Sequence, residues 1–294
     1  MTSAHAQPGI LAPLPVLGRS LSFRIAPDRD LRRAIAALRD GFQLDWGVAG
    51  IAEPVARALG STVPGLRVFP ALAGPGTSIP STQAALWFFL RAVEPGALFD
   101  VTERIVALLA GAFELDDALD TFKYAGGRDL TGYEDGTENP TGDAAIAATF
   151  ASGTAGFAGS SFAAVQRWVH DLARFRSHAQ AQRDAIVGRR LDTNAEIDDA
   201  PPSAHVKRAA QESFDPPAFM TRRSMPWSTA RAHGLEFIAF VERLDRYERV
   251  LRRMAGLEDG ITDALFSFSR PLRGGYYWCP PVARGRLDLS QLGL

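Results

Sequence analysis

Two stretches of the sequence decide the predicted fold: residues 85–109, which read ALWFFLRAVEPGALFDVTERIVALL, and residues 235–254, which read LEFIAFVERLDRYERVLRRM. Each begins with an apolar run of strand length and continues, after a short turn, into an amphipathic pattern with helical spacing. The predicted strands cover residues 84–93 and 235–243, and the predicted helices cover residues 100–109 and 245–254. The same order in both halves of the chain predicts a duplicated α+β unit.

The flanking sequence repeats this plan. A strand is predicted over Leu17–Ile25, followed by a helix whose apolar residues recur at helical spacing from Leu31 to Leu38. In the second half, a strand is predicted over Ser161–His170 and a helix over residues 175–187. Strands that alternate with helices also fit a parallel doubly wound sheet, but no glycine-rich phosphate loop follows the first strand to favour that fold.

Composition narrows the classes of function. The chain has 294 residues, of which 46% are hydrophobic and 22% charged, so it is long enough for one large domain or two ordinary ones. A net charge of −1 gives no electrostatic reason to expect nucleic acid as a partner. The single cysteine, Cys279, cannot form a disulfide framework or a cysteine-rich metal site within one chain. No apolar run is long enough to span a membrane and no targeting signal is evident, so we expect a cytoplasmic protein.

Three segments contain residue types that are suited to catalysis. In GYEDGTENP, residues 132–140, Asp135 stands directly before Gly136, although an Asp-Gly pair alone usually marks a turn. His205 is the second residue of AHVKRAA, residues 204–210, which follow Pro201 and Pro202 closely; its alternative interpretation is a partly exposed histidine at a helix start. Arg222 lies in TRRSMPW, for which a basic turn is the alternative. No histidine pair has zinc-site spacing. Neither residues 132–140 nor the acidic stretch over residues 192–203 has the spacing of a calcium site.

Taken in order, the segments GYEDGTENP, DDAPPSAHVKR, RRSMPW and FSRPLRGGYYW resemble the bacterial dye-decolorising haem peroxidases. The resemblance extends to QPGILAPLP before the first strand and to VQRWVHDL in the second half. Gly132, Asp135 and Gly136 match the GxxDG motif of that family. His205 falls on its axial haem ligand, and Arg222 on its distal arginine.

The resemblance implies an α+β fold of two ferredoxin-like halves, with antiparallel sheets flanked by helices. Residues 1–150 are expected to form the N-terminal half, including the GxxDG loop, and residues 151–294 the half that binds one haem b. Asp135 and Arg222 are expected to cleave hydrogen peroxide on the face opposite His205, the metal ligand, which would donate a hydrogen bond to Asp263. The further predicted cofactor contacts are Gly136, Thr137, Ser224, and an apolar wall of Ile238 and Phe240. For Asp263 the alternative is a helix cap, and for the apolar pair it is ordinary core.

The expected partners are hydrogen peroxide and a dye-like or other organic electron donor, in a homo-oligomer of two or more chains. Two other functions remain open at this point: a haem carrier with little peroxidase turnover, and a haem-free α+β dimer that binds another ligand. Residues 287–294 are compared with the peptides that load some family members into a protein shell, but a disordered or docked terminus fits them better.

Overall fold

The computed structural model describes residues 5–27 and 29–294. Its strands are β1 (Leu17–Ile25), β2 (Gly47–Ile51), β3 (Leu72–Gly74), β4 (Thr77–Ile79), β5 (Leu86–Ala92), β6 (Phe113–Phe122), β7 (Ser161–His170), β8 (Thr221–Arg222), β9 (Met225–Ser228), β10 (His233–Val241), β11 (Ser269–Cys279), β12 (Val282–Ala283) and β13 (Arg286–Leu287). Its α-helices are α1 (Leu31–Gly41), α2 (Glu53–Ala58), α3 (Pro95–Leu109), α4 (Gly142–Thr149), α5 (Leu172–Ser177), α6 (Gln180–Val187), α7 (His205–Arg208) and α8 (Leu244–Met254).

The main sheet has nine strands and consists of two antiparallel halves. Its order is β6-β1-β5-β2-β11-β7-β10-β8, and β9 also pairs with β10. The two halves join where Ile51 of β2 pairs with Trp278 of β11. Every named pairing is antiparallel, which confirms the predicted α+β fold and excludes a parallel doubly wound sheet among the described residues.

Side chains that alternate along the strands form two cores. From β5, Trp87 points between the two half-sheets, where its ring centroid lies 5.6 Å from that of Tyr277 and 6.3 Å from that of Phe240. Its neighbour Phe88 points the other way, into the core that contains helices α1 and α3. Both faces of the central strands are therefore buried, which explains their nearly continuous apolar sequences.

The predicted elements agree with the structure in most places and differ at several boundaries. Strands β1 and β7 have the predicted bounds. Helix α3 begins at Pro95 rather than at residue 100, because the fixed φ of proline suits the first turn of a helix. The helix predicted over residues 175–187 is two helices, α5 and α6, separated at His178 and Ala179. Strands β2, β6 and β11 and helix α4 were not predicted.

The segment that contains the GxxDG motif lies against the C-terminal half. Tyr133 donates a hydrogen bond to Asp184 of α6 at 2.5 Å, and Asn139 contacts the backbone of Arg222 in β8. At the other end of the chain, the last leucines pack into the main core: Leu287, Leu289 and Leu292 are buried. Within the described residues, no helix is both long and apolar enough to cross a membrane. The cytoplasmic location stays a prediction.

Candidate functional site: a cavity between the C-terminal sheet and helix α8

A large, mainly apolar cavity lies in the C-terminal half, with about 980 Å³ of space between its walls, part of it open to solvent. It is enclosed by the face of β7 and β10 that points away from the other half-sheet, by α8, and by the segment around α7. Its lining includes Gln166, Trp168, His170, Leu235, Phe237, Tyr247, Val250, Leu251, Met254, Ala209, His205, Asp135 and Arg222. Most of these side chains are apolar, and His205, Asp135 and Arg222 are among the few ionisable groups in the lining.

His205 is the first residue of α7 and is held in place by a buried carboxylate. Its Nδ1 lies 2.8 Å from Oδ2 of Asp263, whose side chain is fully buried. The imidazole itself is 28% exposed, towards the cavity. Because Nδ1 is directed to the carboxylate, Nε2 is the nitrogen left to bind a ligand or metal in the cavity.

Asp263 has a second role in the same place. Its other oxygen, Oδ1, accepts a hydrogen bond from the Leu265 backbone at 2.8 Å and so caps a short 3₁₀ helix, Ala264–Ser267. Asp263 therefore both supports His205 and caps the 3₁₀ helix, so its two interpretations are compatible. Burial disfavours the charged imidazole, but the charge and hydrogen bond of Asp263 outweigh it and hold the pKa of His205 above its usual value.

Arg222 and Asp135 line the same cavity as His205 and come from different parts of the chain. Arg222 belongs to the short strand β8, which pairs with β10 through Ala239. In the described part of the chain its guanidinium makes no ion pair, and its buried Nε has no hydrogen-bond partner. Asp135 is half-buried and precedes Gly136, whose φ of +75° suits glycine. The unpaired guanidinium of Arg222 and the carboxylate of Asp135 therefore line the same largely apolar cavity.

Three other predicted cofactor contacts line neighbouring cavities rather than the main one. Gly136 and Thr137 line an adjoining cavity of about 680 Å³, which shares Asp135, His205 and Arg222 with the main one. Ser224 lies behind Asp135 in a smaller cavity of about 220 Å³, and its buried Oγ has no partner among the described residues.

The predicted apolar wall of Ile238 and Phe240 is wrong. Both side chains are fully buried in the core between the two half-sheets, with Trp87. Because successive side chains of a strand point to opposite faces, the cavity is lined instead by Leu235 and Phe237. The prediction chose the correct strand and spacing but the opposite face.

Sequence reasoning also missed a polar pair at the cavity wall. Nε2 of His170 lies 3.2 Å from Asp129, and Nδ1 lies 2.7 Å from Oγ of Ser269. Burial would raise the pKa of Asp129, but its hydrogen bond and charge interaction with His170 outweigh this and lower it. The segment VQRWVHDL contained the histidine, but nothing in the sequence indicated its partner 41 residues away.

Comparison with known proteins identifies the family of this chain. A family model described as "Dyp-type peroxidase, C-terminal" matches residues 126–284, which is more than half of the chain. The chain belongs to the Dyp-type peroxidase family. The matched segment contains Asp135, His205, Arg222 and Asp263, so the whole candidate site lies within it. It also begins upstream of the GxxDG loop, whereas the division of the chain at residue 150 stays a prediction.

Individual members of the family agree with this assignment. A dye-decolorizing peroxidase of Mycolicibacterium paratuberculosis is 31% identical over 224 residues, which are 74% of this chain and 63% of that protein. The match therefore spans just under two thirds of that relative's length. A variant of DypB from Rhodococcus jostii, solved in complex with heme, has a TM-score of 0.85 at 26% identity, over 92% of this chain and 94% of its own. The encapsulated DyP-type peroxidase from Mycobacterium smegmatis has a TM-score of 0.82 at 25% identity, over 95% of this chain and 96% of its own.

Proposed function

We propose that this chain is a haem-dependent peroxidase that reduces hydrogen peroxide and oxidises dye-like or other organic one-electron donors. The observation that carries the proposal is the convergence of His205, supported by Asp263, with the unpaired Arg222 and Asp135 in one cavity. Family membership and the heme-bound DypB neighbour support haem as the cofactor. The proposed stoichiometry is one haem b per chain.

The residues present fit a flat iron macrocycle. The cavity has a mainly apolar lining with a few polar groups directed into it, which is typical of cofactor sites. One imidazole nitrogen is free to ligate iron, and the buried Nε of Arg222 lacks a partner that a bound group would supply. When bound, haem supplies the redox-active iron through which peroxide accepts two electrons, and with two protons is converted to two water molecules.

His205 and Asp263 hold and tune the proposed ligand. The carboxylate fixes the tautomer in which the Nδ1 proton faces Asp263 and the Nε2 lone pair faces the cavity. Because Asp263 is itself fixed by the Leu265 backbone, the ring orientation is set before any cofactor arrives. The hydrogen bond to Asp263 would also make the imidazole of His205 a more basic ligand.

Asp135 and Arg222 act on the peroxide. The carboxylate of Asp135 would accept a proton from one peroxide oxygen and return it to the other, which leaves as water. The guanidinium of Arg222 stays charged and stabilises the negative charge that develops on the leaving oxygen. Because Arg222 has no ion pair among the described residues, its charge is available for this role.

Substitution of the two distal residues tests the proposal. In haem-supplemented protein, we expect Asp135→Asn and Arg222→Leu to retain haem while the peroxide reaction slows by about 10² to 10³-fold. Asp143→Asn, at an exposed site in the first turn of α4, is the matched control. A haem carrier would instead show the same slow peroxide reaction in wild type and variants, and protein that binds no haem at all would favour a haem-free fold.

The partners beyond peroxide and donor are also proposals. By resemblance, we infer a homo-oligomer of two or more chains. The Mycobacterium smegmatis neighbour is encapsulated, but in this chain the segment 287–294 is docked through three buried leucines. That segment would have to detach from the core before it could act as a loading peptide.

A further inference from the structure

Arg222 lies on the edge strand of the main sheet, where its backbone has a strand on one side only. Strand β8 has two residues and ends the main sheet. The backbone N–H of Arg223 donates to Ile238 of β10 at 2.8 Å, so the N–H and C=O of Arg222 itself point the opposite way, off the edge. Edge groups of this kind need another partner to hold the strand in one position.

Asn139 supplies both missing partners. Its Oδ1 accepts from the Arg222 backbone N–H at 2.8 Å, and its Nδ2 donates to the Arg222 backbone C=O at 3.0 Å. A carboxamide has one acceptor and one donor group side by side, so this single side chain takes the place of a neighbouring strand. The isosteric carboxylate of aspartate would keep only the acceptor.

The same asparagine belongs to the loop that contains Asp135. Its backbone N–H donates to the Gly136 carbonyl at 3.1 Å, which closes the turn immediately after Asp135. The two groups proposed to act on peroxide are thus linked through Asn139, although Asn139 and Arg222 are 83 residues apart in the chain. The Arg222 carbonyl also accepts from Arg223 Nη1 at 3.1 Å, which fixes it further.

We propose that Asn139 is a positioning residue that holds Arg222 in register with Asp135, so that both groups meet the same peroxide molecule. The inference rests on the proposed function. Its physical basis is that a displacement of about 1 Å in a reacting group can cost on the order of 10²-fold in rate. Asn139 does not itself line the main cavity, so it acts through Arg222.

The test combines an exchange measurement with a double-mutant cycle. Asn139→Ala removes both hydrogen bonds, Asn139→Asp removes only the donor, and each is also made together with Arg222→Leu. Asn194→Gly is the matched control: Asn194 donates to Glu134 and Thr137 of the same loop but does not contact Arg222. Its φ of +57° is one that glycine adopts without strain. The readouts are haem content, the rate constant for reaction with hydrogen peroxide, and hydrogen–deuterium exchange at the Arg222 amide.

We expect Asn139→Ala to speed exchange at the Arg222 amide and to slow the peroxide reaction by about 10- to 100-fold, with haem content unchanged. Asn139→Asp, which keeps the acceptor for that amide, should leave exchange protected and cause a smaller loss, and it serves as the informative variant if the alanine protein does not fold. In the Arg222→Leu background, either substitution should add less than about 2-fold, because residues that act through one another are not additive. The Asn194→Gly protein should stay within about 2-fold of wild type.

Either of two results would overturn the inference. One is full additivity in the double-mutant cycle, and the other is an unchanged peroxide rate in Asn139→Ala protein whose Arg222 amide exchanges freely. The failure of the proposed function looks different. In that case Arg222→Leu alone would leave the peroxide reaction unchanged, whatever the effect of substituting Asn139.

Discussion

Asp263→Asn is the most informative single change near the proposed ligand. In the structure one carboxylate oxygen accepts from His205 Nδ1 and the other from the Leu265 backbone, both at 2.8 Å. A carboxamide has only one acceptor oxygen, so it cannot serve both donors. Either the Leu265 N–H loses its partner, or an NH₂ group faces Nδ1 and forces the tautomer whose proton, rather than lone pair, points into the cavity.

Either arrangement has a cost that can be worked out. A buried donor without a partner costs about 1 to 3 kcal/mol, and each 1.4 kcal/mol corresponds to roughly a tenfold change in an equilibrium constant. The unpaired donor lowers the free energy of unfolding with or without haem. The haem dissociation constant should rise by about 10- to 100-fold, because in both arrangements the metal-binding histidine loses its charged hydrogen-bond partner.

The assay is titration of haem into the apoprotein, followed by the Soret absorbance. Asp259→Asn is the matched control, because Asp259 pairs with Arg208 of α7 at 2.7 Å but does not contact His205. Equal haem affinity in wild-type and Asp263→Asn protein, with an unchanged spectrum, would refute the role given to this carboxylate.

Three further predictions concern packing and charge. Phe237→Ala should alter the Soret band and the peroxide rate, because it enlarges the cavity. Phe240→Ala should leave both unchanged, because Phe240 lies in the core between the half-sheets. It should instead lower the free energy of unfolding, measured by denaturant titration, by about 3 to 5 kcal/mol. Gly188→Ala should lower haem content and stability by at least about 1 kcal/mol, because the added methyl group at φ +89° would collide with α7; normal haem loading would contradict this. Burial raises the pKa of Asp117, but its pairing with Arg167 outweighs this and lowers it. Asp117→Asn should therefore cost about 1 kcal/mol at pH 7, after solvent screening, and the difference between variant and wild type should vanish as the pH falls through the lowered pKa; a constant difference from pH 7 to pH 2 would contradict this.

The sequence was most informative where one face of an element is apolar. Strands β1 and β7 and helix α8 were predicted to within one residue, because their apolar patterns fit a single period. Strand β6, FELDDALDTF, was missed because it is an edge strand rich in acidic residues, several of which pair with arginines of other strands. Its stability depends on those partners, which a local pattern does not reveal.

The same limit applies to the candidate site. Strand β10 is apolar on both faces, because one face packs between the half-sheets and the other lines the cavity. Its two-residue period therefore could not distinguish Phe237 from Phe240. Asp263 was suggested by resemblance, whereas Asn139 was overlooked because its function lies in hydrogen bonds to a residue 83 positions away.

The proposed function requires that His205 bind haem iron and that the opposite face of the cavity react with peroxide. The most direct measurement is the absorption spectrum of haem-supplemented wild-type and His205→Ala proteins, before and after one equivalent of hydrogen peroxide. We predict a Soret band that depends on His205 and that changes rapidly in the wild type when peroxide is added. A Soret band that is the same in both proteins, or no Soret band in the wild type, would contradict the account.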